Sequence, residues 1–546
     1  MSAKQEFKGN KIKDLIRESD YKFGNYDVSV WTRTVTEEII DPIEGEISGE
    51  IPRWINGCSL LQNGPGAYEI GDVMFNHVFD GMALLHRFNI VDGKVTYQNR
   101  FVKSNAYEAV KKENRIVFGE FGTAPDPVGN IFQRFLSLFK TKTDSTTDNT
   151  LVTIFPIGND FYAFTETPKI RKFNTTTLET LNLVNLKEYT GIVYQPAHAI
   201  VTEDGSLYNI GTSISSAGAQ YILYCIPNVE NKFENVKIVS KITPKRKTYP
   251  SYMHSFGITE NYFIVIEQPF TISIYELTKS LFIRKNFLDA FKWFENEPTY
   301  VHLIDRKTGV KIHTFETETF FFFHTINAYE DNDQVVLDII CYEGPELVKG
   351  LLLQNMKQLQ KAKAKTKMLT SRPLRFVFPL KYSTENKVDK NLVYLKGTDA
   401  TAYMQQSGTV ICFPELLCNH SFEFGTVYYD KYFGKKYKFF YGVGMDLYTE
   451  FPEQLIKVNT ETKEVQIWQE ENVYPSEPLF IPSPNSASED DGIIISALLK
   501  GNENTNFIAF LILDGKTFRE IGRCEFKNLP SAITKVFHGW FLDQRK

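Results

Sequence analysis

No uninterrupted apolar run in the 546 residues approaches the roughly 18 that a membrane-spanning helix needs. The opening stretch MSAKQEFKGNKIKDLIRE is polar and lacks the apolar segment of a secretory signal. Basic charge is not in excess: 61 Lys plus Arg stand against 66 Asp plus Glu, a net charge of −5. A nucleic-acid partner is therefore not expected, because phosphate binding draws on a positive surface. The six cysteines (Cys58, Cys225, Cys341, Cys412, Cys418 and Cys524) form no CxxC pair and read as reduced, buried thiols of a cytoplasmic protein. The sequons at Asn174 and Asn419 are then chance matches. No GxGxxG opens a helix after a strand, and neither GxxxxGK[ST] nor GxSxG occurs. Nucleotide-cofactor, phosphate-loop and serine-elbow chemistry thus lack support.

Aromatic residues are plentiful, at 14% with 44 Phe, which suits a β-rich core or an aromatic-lined apolar cavity. Short β-branched and aromatic runs recur along the chain, among them LVTIFPIG, FYAFTET, YFIVIEQ, QVVLDIICY, GIIISALL and FIAFLILDG. Turn signals such as ND, DG and GN break them, as expected for strands. Helical patterns are few. One covers Pro127–Lys140, where Ile131, Phe132, Phe135, Leu136, Leu138 and Phe139 can share a face. That face is expected either to dock on a membrane surface or to pack on the body of the protein. A second covers about Pro345–Met368 and ends in a lysine-rich solvated stretch. After an N-terminal extension of about residues 1–25, no linker divides the chain. One all-β body spanning residues 1–546 is expected, and a propeller of four-stranded blades fits this length.

Histidine is scarce, with nine copies, and four share one setting. His198 (QPAHAI), His254 (SYMHSF), His324 (FFFHTI) and His538 (KVFHGW) each sit in an apolar or aromatic stretch. The gaps between them are 56, 70 and 214 residues, the last close to three times the second. A blade with its loops takes about that length, so the four can come from inner strands of four blades and meet on the axis. Four imidazoles without thiolate or direct carboxylate suit Zn, Cu, Fe or Ni. On an octahedral metal they leave two positions free. Imidazole ligands also need outer partners that fix their tautomers, and Glu166, Glu423 and Glu477 are candidates.

Four long segments carry a resemblance beyond this reading: NGPGAYEIGDVMFNHVFDGMALLHRF (Asn63–Phe88), PSYMHSFGITENYFIVIEQP (Pro250–Pro269), FFFHTINAYED (Phe321–Asp331) and YPSEPLFIPSPNSASEDDGIIISALL (Tyr474–Leu499). The chain resembles the carotenoid cleavage oxygenases over nearly its whole length. The branch is that of the animal β-carotene oxygenases, the retinoid isomerohydrolase and the insect-type isomerooxygenase. The resemblance implies a seven-bladed propeller capped by loops and short helices over an apolar tunnel. It implies Fe(II) held by His198, His254, His324 and His538, with Glu166, Glu423 and Glu477 behind them. His77 lies in a family motif but is not carried over as a ligand. Two departures stand out: PDPVGNIF has Val128 where a lipidated cysteine is common in this branch, and TPKI follows Glu166 where TNFI is usual.

The activity implied is Fe(II)- and O2-dependent cleavage of a carotenoid polyene, at the central 15,15′ bond, to retinal with trans-to-cis isomerisation. The lean toward the isomerising type rests on Val128. Eccentric cleavage and retinyl-ester isomerohydrolysis are the alternatives on the same iron, and a non-enzymatic carotenoid-binding protein is the alternative without it. The stretch Thr165–Ile170 is the expected wall that grips one half of the polyene. No organic cofactor is implied.

Overall fold

The computed structural model describes residues 9–16, 26–126, 146–283, 286–362, 370–382, 390–445, 451, 453–502 and 504–545. The amphipathic stretch 127–140 and the end of the expected helix at 345–368 lie outside them.

Seven sheets of four to six strands follow one another around the chain, joined by two short two-stranded ribbons. Each sheet is a blade. Within a blade most strands pair antiparallel with their sequence neighbours, as in Leu207–Ser215 on Gly218–Ile226 and Met82–Val91 on Lys94–Phe101. Local pairing of this kind needs only short turns, and the expected ND and DG signals supply them: Asn332 and Asp333 take positive φ between two strands of one blade. The expected strand runs are all strands of the blades.

The two ends of the chain are laced into neighbouring blades. The C-terminal strand His538–Asp543 pairs with Cys58–Ala67 and forms the inner edge of that sheet. The strand Glu46–Gly49 pairs with Glu520–Phe526 on the outer edge of the next. Radial repetition leaves only short, protected inner edges, and this pairing makes the C-terminal segment one of them. Residues 9–16 of the expected N-terminal extension are also part of the body: Ile12 and Ile16 are buried against the blade that contains Val301, Leu303 and Phe315.

Helix is confined to short caps. The expected continuous helix at 345–368 divides into Glu346–Gly350 and Leu353–Ala362. The break falls at Leu351–Leu352, where Leu352 bridges to His77 and the Leu351 carbonyl accepts from Val78. Tertiary pairing outbids helical propensity there. No helix among the described residues is long and apolar enough to cross a membrane. All six cysteines are buried and unbridged.

Candidate metal centre

Four inner strands each deliver one histidine from the same end. His198 lies two residues before Ile200–Val201, His254 three before Gly257–Ile258, His324 one before Thr325–Asp331, and His538 opens its strand. The strands belong to four different blades, so the side chains converge on the axis. His198 Nε2 is 3.1 Å from His254 Nε2 and 3.3 Å from His324 Nε2. The ring of His198 lies 4.5 to 4.7 Å, centre to centre, from the other three. His198, His324 and His538 offer ligand atoms all within 4.8 Å of one another.

Three of the imidazoles are backed by carboxylates. His254 Nδ1 donates to Glu166 Oε1 at 3.0 Å, His324 Nδ1 to Glu423 Oε2 at 2.6 Å, and His538 Nδ1 to Glu477 Oε1 at 2.8 Å. Among the described residues, His198 has no such carboxylate. The glutamates come from the same architecture. Glu477 precedes the inner strand Leu479–Pro482, and Glu423 sits in the inner strand Phe422–Thr426. A bulge between Glu423 and Thr426, with Phe424 at φ +55°, turns both Glu423 and Phe424 toward the centre. Glu166 lies in the turn between two strands of its blade. Each carboxylate is itself held: Tyr252 donates to Glu166, Tyr342 donates to Glu423 at 2.5 Å, and the Gly539 amide donates to Glu477 at 3.0 Å.

The electrostatics follow from burial. His198 and His254 are held well below the usual imidazole range, first by burial and then by the neighbouring rings. Burial pushes Glu166 up to about 8, against the hydrogen bond from Tyr252. With Nδ1 of three rings engaged by Glu166, Glu423 and Glu477, the Nε2 atoms turn inward, and that of His198 faces those of His254 and His324 across 3.1 and 3.3 Å. Lone pairs so placed repel unless a cation lies between them. An all-imidazole donor set with outer carboxylates fits a late first-row metal such as Fe, Zn, Cu or Ni.

Two cavities meet at this cluster. One, of about 690 Å3, is walled by residues including Phe79, Phe121, Phe323, Phe424 and Phe537, and its lining also includes Glu120 and several threonines. The other, also about 690 Å3, runs down the inner strands past Phe155, Ala199, Ile326 and Trp540. His254 faces the first, His198 the second, and His324 and His538 both. Thr165, Thr167 and Pro168 of the expected wall line the first cavity; Lys169 and Ile170 continue into a strand.

His77 is fully buried away from the centre. Its Nε2 meets the Val348 carbonyl at 2.7 Å, its Nδ1 accepts from the Phe79 amide, and burial lowers its pKa to about 4. Sequence reasoning missed Tyr252, Tyr342 and the cavity aromatics. Tyr252 carried a signal, standing two residues before His254 in one strand-edge motif. Tyr342 carried none, because it reaches Glu423 across 81 residues.

Fold and centre together define a propeller whose axis carries a carboxylate-backed histidine cluster beside an apolar cavity. The chain belongs to the Retinal pigment epithelial membrane protein family, whose pattern it matches over residues 32–543. It is 37% identical to the Carotenoid isomerooxygenase of Drosophila melanogaster, across 95% of this chain and 93% of that one. It is 39% identical to the Beta,beta-carotene 15,15'-dioxygenase of Gallus gallus, across 93% and 97%. Among solved structures, a Synechocystis apocarotenoid oxygenase variant has the same fold, with a TM-score of 0.73 at 20% identity over 96% of this chain and 99% of that one.

Proposed function

We propose that the protein is an iron-dependent carotenoid oxygenase that binds Fe(II) through His198, His254, His324 and His538. It cleaves a carotenoid at the central 15,15′ double bond to retinal and isomerises one half to a cis product. The observation that carries the reading is the convergence of four axially placed imidazoles, three backed by glutamates, where two aromatic-lined cavities meet. Support for the substrate comes from the relatives, which are named for carotenoid cleavage with and without isomerisation.

Bound iron would supply the activation of O2. The rest is the work of the chain. Glu166, Glu423 and Glu477 hold the Nδ1 protons and so aim the Nε2 lone pairs inward. Phe79, Phe323 and Phe424 offer ring faces to a polyene, orient one double bond and exclude water. Those faces also stabilise positive charge developing on a twisted polyene. The intact ligand set and its outer carboxylates favour an enzyme over a binding protein. Peripheral contact with a bilayer through residues 127–140 is part of the proposal, since it gives an apolar substrate a dry route inward.

The test is to incubate iron-loaded protein with β-carotene in the dark, with and without O2, and to resolve the products chromatographically. Retinal including a cis isomer is expected, and only with O2. Apocarotenals longer than retinal would overturn central cleavage, and all-trans retinal alone would overturn the isomerisation. Turnover of retinyl ester without O2 would assign the isomerohydrolase reaction instead.

A further inference from the structure

The loop cavity contains a carboxyl group that the proposed chemistry does not use. Glu120 lines the cavity, and its residue is only 5% exposed. It touches neither a histidine of the cluster nor Glu166, Glu423 or Glu477; its electrostatic neighbours are Asp80 and Asp148. Asp148 is already paired with Arg171, and Asp80 already accepts from Gly122 and Thr123. The acceptor capacity of Glu120 is met from its own side: the Thr147 hydroxyl donates to Oε1 at 2.6 Å, and the Asn149 side chain also hydrogen-bonds to it. Burial, reinforced by the two aspartates, pushes this carboxyl well above the usual carboxylate range, which favours its protonated form. In that form it is a hydrogen-bond donor, and the side-chain hydrogen bonds Glu120 makes among the described residues, from Thr147 and Asn149, are ones it accepts.

The surroundings are built rather than accidental. Glu120 is set by its amide, which donates to the Thr123 carbonyl, and Thr123 is held by Asp80. Thr167 donates to the Thr147 carbonyl at 2.9 Å, and Thr146, Thr147, Thr165 and Thr167 continue the polar strip along that wall. Phe79, Phe323, Leu351 and Met356 make other parts of the same lining apolar. A buried donor beside a hydrocarbon wastes its hydrogen bond, whereas one beside an oxygen does not.

Resting on the oxygenase reading above, we propose that Glu120 and Thr147 form a polar subsite that accepts a ring oxygen of the substrate. The chain would then be selective for carotenoids bearing a hydroxyl or keto group on the ring over unsubstituted hydrocarbons. No bond forms or breaks at this subsite; Glu120 positions one end of the molecule.

The experiment compares zeaxanthin, with ring hydroxyls, and β-carotene, without them. Two readouts are taken on the iron-loaded protein: the Kd from quenching of intrinsic fluorescence, which Trp31 on the cavity wall favours, and kcat/KM. Replacing Glu120 by Leu should lower the zeaxanthin-to-β-carotene ratio about tenfold in both, the usual effect of losing one buried hydrogen bond. Glu120→Gln keeps a donor and should retain most of the ratio. Thr147→Val should lower it less, in the same direction. An unchanged ratio in Glu120→Leu, with both carotenoids weakened equally and the melting temperature reduced, would make Glu120 structural and overturn the subsite. If Glu120→Leu does not fold, an unchanged ratio in Thr147→Val overturns it equally. Weaker binding of retinal with the carotenoid ratio intact would assign the group to the product aldehyde, which also overturns it. Failure of the unmodified protein to bind or cleave either carotenoid would sink the oxygenase reading itself, and the subsite with it.

Discussion

The two cavities beside the histidine cluster are equal in volume and opposite in construction. The axial one is walled by inner strands, whose side chains are fixed by ladder registers such as Gln62 opposite Gly539 and Asn63 opposite His538. The other is walled by turns, short helices and the segments around Phe79, Phe121 and Leu351. Inner strands are hydrogen-bonded into their blades and cannot shift without breaking a ladder. Loops on a rigid scaffold can vary, which is why binding specificity concentrates in them. The contrast assigns substrate choice to the loop side and integrity of the centre to the axial side. His324 and His538 join the two.

The contrast can be broken first at a shared residue. Replacing His324 by Ala removes a group that faces both cavities, and it should abolish metal binding and cleavage together. Full metal occupancy in that variant, by elemental analysis, would exclude His324 as a ligand. Next in size are the carboxylates. Glu477→Gln, on the axial side, and Glu166→Gln, on the loop side, should each cost about 10–100-fold in metal affinity or turnover while the protein remains folded. Equal losses would show that orientation of the imidazole matters irrespective of side. Unchanged turnover in Glu477→Gln would remove it from the centre.

A smaller effect sharpens the contrast. Phe323 packs 4.6 Å, centre to centre, from the His254 ring on the loop side, and Trp540 lies on the axial side. Phe323→Ala should lower kcat/KM for the carotenoid roughly tenfold and shift the cis-to-trans ratio of the retinal, because the polyene loses a wall. Trp540→Ala should leave the isomer ratio in place and lower the melting temperature. The reverse pattern in product chromatography would place the substrate in the axial cavity. Smallest of all is the surface effect of Phe135→Asp plus Phe139→Asp, which should weaken liposome binding in sedimentation assays without altering soluble turnover of a detergent-dispersed substrate.

The amino-acid sequence by itself showed the strand-rich body and the shared setting of the four histidines through local pattern, whereas the three glutamates were candidates that only the family resemblance matched to them. Alternating and β-branched runs make strands wherever they occur, and an isolated histidine between apolar neighbours at the edge of such a run is visible without knowing its partners. Propeller geometry also made the spacing informative, since each blade is a local unit repeated along the chain. Only the tertiary structure decided what lies between blades. Tyr342 reaching Glu423 and Leu352 bridging to His77 join segments distant in the chain, and the Phe424 bulge and the setting of Glu120 beside Thr147 depend on backbone geometry that no residue pattern announces. No sequence period encodes such meetings. They are set by how separate blades bring their ends together, and the burial created there pushes the carboxyl of a residue such as Glu120 well above the usual carboxylate range.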